Sequence, residues 1–153
     1  MAGDVNESTG EALTVPRIEA LLAQDGRVVL ERCAVADGFV SRFRGLLGRR
    51  ELEPGEGLLL SPSSSVHTAF MRFPIDVVFL DNTLSVIGVS PNIRPWRLAG
   101  RKGARHVLEL PAGESDRRAI EIGDQLTLAS QISPQPVSGP SRSGDPGLAA
   151  GAE

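Results

Sequence analysis

Six residues, IDVVFL (75–80), constrain this chain more than any others. They are almost continuously apolar, rich in β-branched side chains, and fenced by Pro74 and by Asp81-Asn82. The run, interrupted only by Asp76, is too short for a helix and reads as a core strand. Similar stretches recur along the chain: RVVLERCAV (27–35), GLLL (57–60), LSVIGVS (84–90), HVLEL (106–110) and QLTLA (125–129). Turn residues punctuate them, among them Asp37-Gly38, Pro54-Gly55 and Gly123-Asp124. LSVIGVS alternates after the tight turn at Asp81-Asn82 and reads as the return strand of a hairpin. Short strands at roughly ten-residue spacing predict a mainly β single domain, either a β-sandwich or a partly closed barrel. The βαβ alternation of a parallel sheet is not visible in the pattern.

Helical signals are few. In FVSRFRGLLGRREL (39–52), Val40, Phe43 and Leu47 recur at helical spacing, with Ser41 or Asp37 as a cap and Gly48 as a stop. ESDRRAI (114–120) suits a single helical turn. In PRIEALLAQ (16–24), Ile18, Leu21 and Leu22 share a helical face behind Pro16, which predicts a short helix over 17–24. That helix would sit in a flexible acidic arm, residues 1–25, leading into a β-domain over 26–130. PNIRPWRLAGRKGA (91–104) has no period and several breakers, so an extended exposed loop is expected. From 131 to 153, Pro, Gly and Ser supply twelve of twenty-three residues. Such a tail cannot bury enough apolar surface to offset its ordering entropy, so disorder is expected.

Composition narrows function by exclusion. Net charge is −3, and residues 26–130 carry fourteen Lys or Arg against twelve Asp or Glu. That footprint is too weak to predict nucleic-acid binding, and with no Tyr and one Trp there is no stacking platform for single strands. Cys33 is the only cysteine, so neither an intramolecular disulfide nor a cysteine zinc site is available, and a buried inert thiol is expected. The N-terminal segment MAGDVNESTGEALTV has no basic n-region and no apolar h-region, and no stretch is long enough for a membrane span. A cytoplasmic monomer is the expectation.

The motifs, taken in order, carry a resemblance. RFRGLLGR (42–49), GLLL, FMRFPIDVVFLD (70–81), VIGV (86–89), VLELPAG (107–113) and IGD (122–124) together resemble the domain-of-unknown-function 192 family across residues 27–129. The resemblance implies a small, mainly β domain of sandwich type and implies no particular activity. Some family members carry export signals, which this N-terminal segment lacks. Where the family often has Trp-Met-Lys-Asn, this chain has Ala69-Phe70-Met71-Arg72-Phe73, so a ligand using that tryptophan and amide would be lost or altered.

Three polar features stand out beside it. His67 heads the central strand and could serve as acid, base or ligand, but His106, Asp76, Asp81 and Glu109 lie at no recognised metal-ligand spacing from it. No HExxH or GxSxG is present, so neither a metal nor a cofactor is expected. Asp76 inside an apolar run needs a partner if ionised, with Arg42, Arg44, Arg72, Arg94 and Arg97 as candidates. The loop NIRPWRLAGRKGAR sets Trp96 between Arg94 and Arg97, either as a plug on one end of the domain or as a recognition device. These features favour a non-catalytic domain binding a small ligand or a protein partner. Its site would join 65–72 to 92–105 through His67, Thr68, Met71, Asp76, Arg94 and Trp96. The alternatives are a small acid–base enzyme using His67 with Asp76, and an accessory factor of an envelope or secretion apparatus.

Overall fold

The computed structural model describes residues 16–36 and 50–132. The helix expected around 40–48, residues 1–15 of the acidic arm and the tail from 133 lie outside the described residues. Nine strands account for about half of the described residues: β1 Arg17–Ala23, β2 Val28–Ala36, β3 Glu56–Leu60, β4 Ser65–His67, β5 Ile75–Leu80, β6 Val86–Ile93, β7 Leu98–Gly100, β8 His106–Pro111 and β9 Leu126–Leu128. One helical turn, α1 Glu114–Arg117, follows β8 as expected. Among the described residues no helix is long and apolar enough to cross a membrane.

Seven strands form one sheet in the order β6-β5-β8-β3-β2-β1-β9, and β4 with β7 forms a separate two-stranded sheet. The large sheet curls until its two edges meet. Ser85 bridges to Gln125, the Val86 N–H donates to Asp124 O, and the Leu126 N–H donates to Leu84 O. Of the two architectures the strand spacing allowed, this is the partly closed barrel. Its inner face buries Leu21, Leu30, Val78, Leu80, Leu108 and Leu126. Val77, Phe79 and Val107 on the outer face are covered by Val66, Met71 and Ala99 from the small sheet and its approach. Both faces of β5 are therefore covered, which is why its six residues are all buried and its sequence does not alternate.

Three expectations are corrected. Arg17–Ala23 is a strand, not a helix. Leu21 and Ala23 point into the core two residues apart, and irregular register with β2 between Glu19, Leu21 and Leu22 breaks the alternation that would have marked a strand. The segment 91–104 is not one loop, because β6 runs on to Ile93 and Leu98–Gly100 pairs with β4. Its order comes from main-chain pairing, which leaves little trace in side-chain pattern. Finally, β2 and β3 are parallel, with Cys33 opposite Gly57 and Val35 opposite Leu59. A parallel pair cannot be closed by a tight hairpin, and no parallel pairing was expected from the strand pattern.

Candidate functional site

The small sheet is a flap whose inner side is core and whose outer side is exposed. Val66 and Ala99 face the outer cluster of the barrel, so period two turns His67 and Leu98 outward. Thr68, almost fully buried, locks the flap. Its hydroxyl donates to Arg94 O at 2.7 Å and accepts from the Arg97 N–H at 2.8 Å. Its backbone completes the clamp: the Thr68 N–H donates to Arg97 O, and Thr68 O accepts from the N–H groups of Trp96 and Met71.

The clamp holds two bulky residues in a conformation they rarely adopt. Phe70 has φ 64° and Trp96 has φ 62°, both in the left-handed region. Each costs on the order of 1–2 kcal/mol relative to ordinary backbone. The rings meet edge to face with centroids 4.6 Å apart. They nevertheless stay in solvent: Phe70 is 70% exposed, Trp96 60% and Leu98 79%. Arg72, Arg94 and Arg97, neighbours of these residues in the chain, are exposed and in no ion pair among the described residues.

The structure brings His67, Thr68, Arg94 and Trp96 into this flap. Met71 is close in sequence but its side chain is core, 7% exposed. Asp76 lies beneath, fully buried at the start of β5, and its partners are not arginines. Oδ1 accepts from the Asn92 N–H at 2.8 Å. Oδ2 accepts from the N–H groups of Gly113 and Ser115, each at 3.0 Å, and from the Ser115 hydroxyl at 2.5 Å. Four donors satisfy the carboxylate without a cation, and none of them is His67. Asp76 thereby ties the root of the 93–97 loop to the turn before α1.

Other acids divide sharply. Glu114, 1% exposed, accepts from Arg117 at 2.8 Å and Arg118 at 3.1 Å, and Arg118 also reaches Glu31 at 2.9 Å. The bond from Glu31 raises the Arg118 guanidinium further, and the same bond lowers the Glu31 carboxyl. Glu109 has no such help. It sits on β8 between Leu58 of β3 and Val77 of β5, with Oε2 buried and unpartnered, and burial pushes its carboxyl up to about 7. Burial lowers His106, partly opposed by Asp81. Cys33, fully buried on β2, has its thiol pushed up by burial to about 12, far from a reactive thiolate. Among the described residues no three His, Cys, Asp or Glu side chains converge.

Sequence reasoning found the tryptophan but missed its companions Phe70 and Leu98. A single phenylalanine before a core methionine carries no sign that it will be exposed. Only the excess of apolar residues in a segment otherwise read as loop hinted at Leu98.

Comparison with known proteins places this fold. A UPF0127 protein of Thermococcus sibiricus is 37% identical over 110 residues, covering 66% of this chain and 68% of its own length. A UPF0127 protein of Pyrococcus furiosus is 32% identical over 108 residues, covering 66% of this chain and 90% of its own. A crystal structure from Sinorhizobium meliloti 1021, whose name suggests transcription regulation, superposes with TM-score 0.66 at 25% identity, over 75% of this chain and 96% of that one. One from Novosphingobium aromaticivorans DSM 12444, of unknown function, superposes with TM-score 0.65 at 23% identity, over 83% and 93%. Residues 20–128 match the profile of DUF192, described as uncharacterized ACR, and the chain belongs to that family.

Proposed function

We propose that this domain is a non-catalytic binding module whose recognition surface is the outer side of the β4–β7 flap. Phe70, Trp96 and Leu98 supply apolar contact, and Arg94, Arg97 and His67 frame it. One observation carries the reading: two aromatic side chains are kept exposed on left-handed backbone by a buried threonine clamp. Strain of that kind persists only where surrounding structure over-determines it, and it concentrates at functional sites. Exposed Trp and Phe beside Arg are also the residue types that anchor interfaces. The acid–base reading loses its carboxylate, because Asp76 is committed to Asn92, Gly113 and Ser115. Nucleic-acid binding, which the name of the S. meliloti protein would suggest, is disfavoured, since fourteen cationic residues against twelve acidic ones over 26–130 make a poor phosphate-binding surface.

The test is site-specific photo-crosslinking in native-host lysate. A photoreactive residue placed at position 96 should give a discrete adduct that disappears with Phe70→Ala. The same probe at exposed Ile122 should give none. Equal adducts at both positions, or none at 96, would remove the flap from consideration.

A further inference from the structure

The flap has a free strand edge. We infer that β7 accepts an extended acidic peptide segment as an added strand, with Trp96 and Leu98 contacting its apolar side chains. This rests on the binding reading above and specifies the partner and the mode.

The Thr68 N–H donates to Arg97 O and the Arg101 N–H to Ser64 O, so residues 97 and 101 turn their main-chain groups toward β4. Ala99, opposite Val66 and midway between them, does the same. By alternation Leu98 and Gly100 point their N–H and C=O groups away from β4. Among the described residues no other strand lies on that side, since the small sheet there consists of β4 and β7. Both residues are exposed, and Gly100 presents no side chain to obstruct an approaching backbone. The opposite edge is less open, because the Ser63 hydroxyl already donates to Ser65 O.

Charge selects the occupant. Arg94, Arg97 and Lys102 flank β7 in the sequence, all exposed and without an acid partner among the described residues. Cations along an edge disfavour pairing with a second copy of the same edge. The same cations favour a strand bearing Asp or Glu, while strand addition draws affinity from the main chain and specificity from alternate side chains.

The experiment uses the full chain and a capped synthetic peptide of roughly seven residues, alternating Glu and Val, about one ordinary strand long. Controls are the Lys-for-Glu peptide and an oligonucleotide of equal negative charge. Trp96 emission reports contact, since it is the only tryptophan. Amide exchange reports mode. The Leu98 and Gly100 amides should slow at least about tenfold on binding while the Ala99 amide, already facing β4, stays unchanged. Arg97→Glu should weaken the peptide about tenfold, and Leu98→Pro, which removes an outward N–H, should do so by at least as much. If Leu98→Pro does not fold, the wild-type exchange pattern and Arg97→Glu decide the matter alone. An emission change without slowing at Leu98 and Gly100 overturns strand addition and leaves the binding module standing. No response to the acidic peptide, or equal binding of either control, overturns the acidic partner. Concentration-dependent protection without peptide would assign the edge to a second copy and also overturn it.

Discussion

Two regions of this domain treat polar and apolar groups in opposite ways. At the start of β5, charge is buried and answered: Asp76 has four donors, and Glu114 has two arginines. On the β4–β7 flap, apolar rings are exposed on strained backbone, and the arginines next to them in the chain have no acid partners among the described residues. The first arrangement stabilises the fold and exposes little. The second leaves its rings in solvent, where a partner could use them. The two are joined by one residue, since Asp76 holds Asn92 at the root of the loop that presents Trp96.

Substitutions should therefore separate stability from recognition. Asp76→Ala strands three main-chain N–H groups and a hydroxyl, and should cost about 4 kcal/mol in urea denaturation. A loss below about 1 kcal/mol would mean that the carboxylate is not what holds that region.

Glu109 tests the contrast from the other side, as a buried acid without a partner. Its folded pKa of about 7 stands above the usual 4.5, so the sign is that of a raised acid. Below the lower value neither state ionises the group and nothing is lost. As pH rises toward 7 the unfolded chain ionises while the folded carboxyl stays protonated, and stability falls by about 3 kcal/mol before levelling off. Glu109→Gln should match wild type near pH 4 and exceed it by about 2–3 kcal/mol at pH 8. Parallel pH profiles of the urea midpoints would contradict the assignment.

Thr68→Val removes the hydroxyl that holds Arg94 O and the Arg97 N–H, and should cost about 1–2 kcal/mol while releasing the rings. In the wild type, Phe70 and Trp96 should show mutual ring-current shifts by NMR, and these should collapse in the variant. The smallest change is expected from Trp96→Gly. Relief of left-handed strain offsets the lost ring contact, leaving stability within about 1 kcal/mol of wild type. Cross-linking through a probe at Phe70 should nonetheless vanish. A large destabilisation would make Trp96 a structural plug.

Much of the barrel was legible because it is written in side chains. IDVVFL announced a core strand, and LSVIGVS and HVLEL followed its pairing partners closely. What failed was whatever the main chain decides. The strands β4 and β7 are three residues each, too short for any period. The oddity of Asp76 was visible, but its donors belong to Asn92, Gly113 and Ser115, and a backbone N–H has no signature in sequence. An arginine was the natural guess because it is the donor that sequence displays. The proposed flap surface was only partly visible for the same reason. Trp96 stood out by rarity, whereas Phe70 became its neighbour through the Thr68 clamp.

The pairing of β1 with β9 carries a consequence for how the chain is made. Leu21 lies opposite Leu128, and Ala23 opposite Leu126. Synthesised from the N-terminus, β1 waits with one edge unsatisfied until nearly the whole domain has been translated. Contacts so distant in sequence make folding slow, on the order of milliseconds to seconds. Until β9 arrives, that edge of β1 has no partner strand among the described residues, so the sheet is completed on this side only after most of the domain has been made.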